Sequence, residues 1–260
     1  MAALTSPTSG AESPASPPVK AWVAVVIDDM GYQREEGLRA LELPGEVTYA
    51  FLPETPFAVR LANLAEALGR EVILHLPMES ATGKVLGPGG MTSSMSEEEF
   101  AAIFGRNLAA VPHIRGVSNH MGSLLTAQRK QMHWLMELLR ERGKLFFLDS
   151  RTTPESVADD VAHSAGLAST RRDVFLDDEQ QADTIRLQFR ELVKRALEKG
   201  TALAIGHPHP ETVTVLREEL PRLAAKGIGL VSASTLIKIR SGEDARLRLA
   251  TKALNIAPAN

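Results

Sequence analysis

The sequence predicts an α/β protein built as a (β/α) barrel, and three observations carry this prediction. Short apolar runs alternate with helical patterns, which is typical of parallel strands joined by helical crossovers. Roughly eight such runs fall within the 260 residues, and barrels of this kind need about 250 residues. Nearly every run is followed by a polar residue that could bind a metal or transfer a proton. A doubly wound open sheet is the competing architecture.

The strand candidates are rich in valine, isoleucine and leucine, a composition typical of strands buried on both faces. They are residues 22–27, 47–52, 71–74, 116–119, 144–148, 173–176, 201–205 and 228–231. The first of them, WVAVVI, leads directly into the adjacent pair Asp28 and Asp29.

Helical patterns fill the stretches between the strand candidates, at residues 34–41, 56–68, 96–110, 127–142, 154–165, 180–199 and 211–226. The third begins with Ser96 and Glu99, which are spaced as a capping box. Three of these helices stop before a glycine, at Gly143, Gly200 and Gly227, as C-caps commonly do.

The chain is expected to contain one domain and two tails. Residues 1–20 are rich in Pro, Ser, Ala and Thr, and this composition predicts a disordered tail or linker. Residues 21–240 should form the barrel, and residues 241–260 a tail or short helix. Residues 79–95 make a long polar, glycine-rich connection, which favours a binding loop or lid.

Composition excludes several function classes. A net charge of -3 lacks the basic footprint of a nucleic-acid binder. The chain has no cysteine, so a metal would have to be held by His, Asp, Glu or Asn. No run is long and apolar enough to cross a membrane, and residues 1–20 as given do not have the pattern of a signal peptide.

The polar residues that follow the strand candidates form a second pattern. The C-terminal ends of parallel strands share one face, where such folds build their active sites. Imidazole and carboxylate groups without thiols favour zinc or another divalent metal, whose charge would offset the repulsion between adjacent carboxylates. These residues are Asp28, Asp29, His75, Asn119, His120, Asp149, Arg151, Asp177, Asp178, His207, His209, Ser232 and Ser234.

Each of these residues also has a structural explanation. An Asp at a strand end often caps the next helix, although capping accounts for only one carboxylate of an adjacent pair. His75 could be a buried histidine bonded to backbone, and His120 could belong to a turn. Asp149 could cap or could support catalysis. Residues 177–179 are most simply explained as the acidic first turn of the next helix.

Five segments resemble the divergent polysaccharide deacetylase family, a distant branch of the metal-dependent polysaccharide deacetylases. They are VIDDMGY at 26–32, HLPME at 75–79, NHMGS at 119–123, FLDSR at 147–151 and GHPH at 206–209. The resemblance covers residues 21–237 in the right order. It implies a distorted seven- to eight-stranded (β/α) barrel and an Asp-His-His site for a divalent metal, with zinc expected.

The resemblance also implies roles for individual residues. Asp29, His75 and His120 correspond to metal ligands, Asp28 to the general base and His207 to the general acid. The implied reaction is hydrolysis of an N- or O-acetyl group on a sugar polymer. The candidates for supporting the ligands or contacting the substrate are Glu79, Asn119, Asp149, Arg151 and His209.

Two features depart from the family. Its ordinary members take both metal histidines from one His-x-x-x-His segment, whereas Glu79 stands four residues after His75, so the second histidine must come from His120. The usual Arg-x-Pro-Tyr segment is missing, and residues 149–151 lie near its place. The alternative function is therefore a catalytically altered or inactive barrel that binds a cell-envelope glycan.

A phosphate-binding barrel is less favoured, because no glycine-rich loop precedes the late helices. The expected partner is a glycan, with no nucleic acid and no membrane segment. The full-length protein is expected to be periplasmic or extracytoplasmic.

Overall fold

The described part of the chain forms one parallel sheet with helices between its strands. The structure is a computed structural model that describes residues 18–242. Its strands are β1 (Ala21–Met30), β2 (Thr48–Phe51), β3 (Glu71–Met78), β4 (Ile114–Met121), β5 (Phe146–Asp149), β6 (Ser169–Arg171), β7 (Val174–Phe175), β8 (Thr201–Gly206) and β9 (Ile228–Leu230). Eight lie in the order β6-β5-β4-β3-β2-β1-β8-β7, and β9 pairs with β1 off this path.

The two edges of this sheet meet in one stretch of chain. Only Arg172 and Asp173 separate β6 from β7. The Arg172 amide donates to the Asp149 carbonyl of β5, and the Asp173 amide donates to the Leu203 carbonyl of β8, each at 2.9 Å. The sheet therefore curls into the distorted (β/α) barrel that the sequence predicts, and the open doubly wound sheet is excluded.

The helices within the described residues are α1 (Arg34–Leu41), α2 (Ala58–Ala67), α3 (Glu97–Ala110), α4 (Arg129–Arg142), α5 (Ala158–Ser164), α6 (Ala182–Lys199), α7 (Pro210–Glu219) and α8 (Ala233–Ser241). The capping box before α3 is confirmed, because Ser96 and Glu99 bond reciprocally through side chain and backbone. The helix predicted over residues 211–226 is shorter than predicted, because α7 ends at Glu219. Pro221 follows within two residues and has no amide hydrogen to donate.

Strand β1 shows how the sheet separates two apolar layers. Val23, Val25 and Ile27 pack into the large core between the sheet and the helices. The alternate residues Ala24 and Val26 face a smaller core inside the barrel. Side chains of successive strand residues point to opposite faces, so both faces of β1 are buried, as its uninterrupted apolar sequence predicts.

Helix α8 closes the N-terminal end of the barrel. Its Leu236 and Ile237 belong to the inner core. Its first turn is held by Glu71, whose Oε1 accepts from the Ser234 amide at 3.1 Å and from the Thr48 hydroxyl at 2.9 Å. A carboxylate at a helix N-terminus also interacts favourably with the helix dipole. The polar groups at this end therefore stabilise one another.

Two details differ from the predicted layout, and helix α8 was not predicted. Ser232 and Ser234 do not lie at the predicted face, because β9 pairs only with the start of β1 and α8 follows at once. Strand β6 was not predicted, because its three residues, Ser-Thr-Arg, carry no apolar pattern.

The predicted tails fall largely outside the described residues. Residues 1–17 and 243–260 are beyond the part of the chain that the structure describes, so the predictions of a disordered start and a tail or short helix at the end concern residues not described. Between residues 18 and 242, no helix combines the length and the apolarity needed to span a membrane.

Candidate metal centre

The adjacent carboxylates Asp28 and Asp29 reach the same histidine because β1 is irregular where they lie. Its pairing register with β2 shifts between Ile27 and Met30, and Asp29 adopts a left-handed φ of 57°. In a regular strand the two side chains would point to opposite faces. Here Asp28 Oδ2 lies 3.5 Å and Asp29 Oδ1 3.3 Å from Nε2 of His75. The pair therefore forms one site.

The pairing of β3 with β4 brings the two predicted metal histidines together. His75 pairs with Ser118, and His120 pairs with Pro77 two residues further along β3. Residues two apart on a strand share a face, so both imidazoles project to the same side, with ring centroids 5.1 Å apart. The second histidine of the predicted site therefore lies beside the first, although it comes from the neighbouring strand.

Asp29, His75 and His120 form a cluster whose potential ligand atoms all lie within 4.8 Å of one another. Asp29 Oδ1 is buried and accepts no hydrogen bond, although Nδ1 of His120 is 2.8 Å away. Burial raises the pKa of Asp29, but the imidazoles of His120 and His75 outweigh burial and hold the pKa well below its usual range. One carboxylate and two imidazoles that converge in this way fit a divalent metal, with coordination positions left open.

Ser118 orients His75 from behind. Its hydroxyl lies 2.8 Å from Nδ1 of His75, and both side chains are buried. A partner on the far ring nitrogen of a metal-binding histidine fixes the ring orientation and leaves the other nitrogen free. Ser118 was not singled out from the sequence, where a serine inside an apolar strand gives no signal of this contact.

His207 faces the cluster from the end of β8. Its Nε2 lies 3.7 Å from Asp29 Oδ2, on the opposite side from the Nδ1 atom that contacts Asp177 Oδ1 at 2.9 Å. Burial lowers the pKa of His207, but the hydrogen bond and charge of Asp177 outweigh burial and raise the pKa to about 9. The ring is therefore held with Nε2 directed towards the two adjacent carboxylates.

Asp177 is a site residue that the sequence interpretation assigned to a helix turn. The structure shows that α6 begins only at Ala182, and that Asp177 is buried. Its carboxylate accepts from the His207 amide at 2.6 Å and from the Thr212 hydroxyl at 2.7 Å. Burial raises its pKa, but these contacts with His207 and Thr212 outweigh burial and lower it.

Two further residues missed from the sequence complete this side of the site. The Phe175 ring packs edge-to-face on His207, with centroids 5.5 Å apart. The Arg172 guanidinium lies over the Phe175 ring, with Cζ 4.7 Å from the ring centroid. Arg172 also donates to the carbonyls of Ser150 at 2.6 Å and Arg151 at 2.7 Å. No sequence pattern indicates these contacts, because they depend on where β6 crosses to β7.

The remaining predicted residues lie around the centre and hold loops. Asn119 accepts from the Ser150 amide at 2.8 Å, which ties β4 to the end of β5. Asp149 accepts from the Arg151 amide at 2.8 Å and the Ser156 hydroxyl at 2.7 Å, and burial raises its pKa. Each of these contacts fixes the turn that follows β5.

Glu79 and His209 also have partners outside the cluster. Glu79 Oε2 accepts from the amide and hydroxyl of Ser93 at 2.7 and 2.6 Å, so it pins the long connection at residues 79–95. His209 lies 5.6 Å from His207 between ring centroids, and its Nε2 is 3.1 Å from the Gln180 amide nitrogen. It forms a second cluster with Asp177 and His207.

A cavity of about 1390 Å³ lies at the other end of the barrel, lined among others by Glu71, Arg115 and Lys238. None of the cluster residues lines it. The cluster therefore lies at the C-terminal strand ends, as the sequence predicts, and apart from this cavity.

A parallel barrel with imidazoles and carboxylates gathered at its C-terminal end defines a protein of the polysaccharide-deacetylase type. Residues 25–237 match the divergent polysaccharide deacetylase family. The chain belongs to that family, and the resemblance noted from its motifs is confirmed.

Relatives support both the family and the fold. The YibQ protein of Escherichia coli is 38% identical over 222 residues, which span 85% of this chain and 69% of that protein. A crystal structure from Agrobacterium tumefaciens superposes with a TM-score of 0.81 at 24% identity, over 86% of this chain and 92% of that one. The fold also resembles a mutant of BA3943, a Bacillus anthracis CE4 family pseudoenzyme, in which enzymatic activity is restored (TM-score 0.53, 17% identity, 87% and 72% covered).

Proposed function

We propose that this protein is a metal-dependent hydrolase that removes N- or O-acetyl groups from a glycan, with zinc as the metal. The observation that carries the proposal is the meeting of an Asp-His-His cluster with two separate proton-handling groups, Asp28 and His207, at one end of the barrel. When bound, a divalent cation supplies Lewis-acid polarisation and lowers the pKa of water.

Asp28 is suited to the role of general base. It is buried, and its Oδ1 has no hydrogen-bond partner, so this oxygen is free to take a proton from the attacking water. Burial raises its pKa above the usual range for Asp, which moves the carboxyl towards the pKa that favours general-base catalysis near neutral pH. Asp29, beside it, is assigned to the metal.

His207 is suited to the role of general acid. Asp177 occupies Nδ1, so Nε2 is the nitrogen that faces the centre and can give a proton to the leaving amine or alcohol. Ring orientation by a buried carboxylate is a recurring feature of histidines that transfer protons. Base and acid would thus act from different strands on one acyl group held between them.

The matched pair Asp28→Asn and Asp29→Asn tests this assignment. Asparagine keeps the shape of Asp and tolerates the left-handed conformation of residue 29. Asp28→Asn should keep its metal and release acetate from chitooligosaccharide about 10²–10⁴-fold more slowly. Asp29→Asn should instead lose the metal. Equal metal loss in both variants would show that the two roles are misassigned.

A second candidate function is glycan binding without turnover. Two observations favour it: the missing Arg-x-Pro-Tyr segment and the likeness of the fold to a CE4 family pseudoenzyme. Metal-loaded protein that binds envelope glycans but releases no acetate from any of them would support this function over hydrolysis. Either function would place the protein outside the cytoplasm, where such glycans lie.

A further inference from the structure

The rim of the candidate metal centre carries an isolated exposed aromatic side chain. Tyr32 is 48% exposed, and between residues 18 and 242 it is the only aromatic residue among the exposed large hydrophobic side chains. It follows Asp29 by three residues, so the two Cα atoms are at most about 11 Å apart. That distance is comparable with the length of a disaccharide.

The backbone that presents Tyr32 is firmly placed. The Gly31 carbonyl accepts from the Phe57 amide at 2.9 Å. Gly31 has a φ of +121°, and a Cβ there would lie 2.1 Å from Oγ1 of Thr55. Glycine is therefore required at this position by both conformation and space, and the close packing fixes where the Tyr32 side chain leaves the chain.

The connection at residues 79–95 lies against the Tyr32 hydroxyl. A Cβ at Gly87 would be 3.0 Å from that oxygen, so the backbone of the connection passes beside the phenol. The base of the connection is pinned through Glu79 to Ser93 and through the Met91 amide to the Pro77 carbonyl at 2.9 Å. The hydroxyl end of Tyr32 thus packs against Gly87, while about half of the side chain remains accessible to a ligand.

We propose that Tyr32, supported by Gly87, is the platform on which a sugar ring of the substrate glycan stacks beside the metal centre. This inference rests on the proposed function. The face of an aromatic ring is electron-rich and complements the C–H face of a pyranose, while the phenol hydroxyl lies beside Gly87. Tyr32 lies just beyond the end of β1, three residues after Asp29. A sugar ring stacked on Tyr32 would therefore neighbour the acetylated sugar held at the centre.

The test compares Tyr32→Ala and Tyr32→Phe with Leu187→Ala, a control that truncates an apolar side chain 58% exposed on α6. Binding of chitotetraose and of monomeric N-acetylglucosamine to zinc-loaded protein is measured by calorimetry. Tyr32→Ala should weaken chitotetraose binding about 3- to 10-fold, in line with aromatic contacts generally. Tyr32→Phe and Leu187→Ala should bind like the parent.

The length of the sugar ligand separates stacking from a structural role of Tyr32, because a structural defect would weaken the binding of short and long ligands alike. Monomer binding should be unchanged by Tyr32→Ala, because a single sugar at the centre does not reach the platform. The inference is overturned if Tyr32→Ala binds chitotetraose normally, if Tyr32→Phe is equally impaired, or if the parent does not bind chitotetraose. Acetate release is recorded separately: Tyr32-dependent binding without acetate release refutes the proposed hydrolysis and leaves the platform standing.

Discussion

The carboxylates at the two ends of this barrel are paired in opposite ways. At the N-terminal end, Glu71 accepts from Thr48 and from the first turn of α8. At the C-terminal end, Asp28 Oδ1 is buried and accepts no hydrogen bond, and Asp29 Oδ1 has only the imidazoles of His75 and His120 beside it. An unpartnered buried acceptor costs free energy that a paired one does not. The first arrangement stabilises the fold, whereas the second is suited to holding a cation and a proton.

Removing an imidazole from the C-terminal end should have the largest effect. His75→Ala and His120→Ala should each abolish stoichiometric zinc binding and lower turnover by at least about 10³-fold, because a bound metal contributes several kcal/mol of charge stabilisation. His133→Ala, which truncates an exposed histidine on α4, is the control. Metal content is measured by elemental analysis after dialysis. Full zinc occupancy in His120→Ala would exclude that residue as a ligand.

A smaller loss is expected when the orientation of His207 is disturbed. Asp177→Asn should lower turnover about 10- to 100-fold, the range seen when outer hydrogen-bond partners are removed, with zinc content unchanged. The adjacent Asp178→Asn is a matched control, since Asp178 is exposed. If the two variants turned over substrate equally well, the role assigned to Asp177 would have to be abandoned.

The smallest effects concern stability, and they should have opposite signs at the two ends. In metal-free protein, Asp28→Asn should raise the free energy of unfolding by about 1–3 kcal/mol, because a neutral amide replaces a carboxylate whose charged form is disfavoured by burial. Glu71→Ala should lower it by about 1–3 kcal/mol, because two hydrogen bonds are lost. Urea unfolding of chelator-treated protein measures both. Destabilisation by both changes would mean that the contrast between the ends is not energetic.

The sequence predicts most strand ends well because most strands of this barrel, β6 and β9 excepted, are apolar runs that stop where the chain reaches the site. Asp28, His75 and His207 could therefore be found from position alone. Their shared face follows from parallel pairing, a general property of the fold class. The register that sets His120 beside Pro77 could not be derived, because it depends on side-chain packing between strands.

The contacts made by residues in and near the connection between β6 and β7 could not be predicted from the sequence. Phe175 contacts His207, and Arg172 contacts Phe175, only after the sheet has curled. Asp177 was assigned to a helix turn because three acidic residues in a row are typical of one. Its burial against His207 is a tertiary effect that local propensity does not capture.

The placement of β1 has a consequence for how the molecule folds. Its carboxylates contact His75 and His120, which lie in the N-terminal half of the sequence. Its other edge can pair only after β8 has been made, since Trp22 pairs with Thr201. Pairings between distant parts of a chain form slowly, since the intervening loop must first be closed. On the ribosome, therefore, the three donors of the Asp-His-His cluster emerge well before the histidine that faces them. Completion of the centre is a late event in folding.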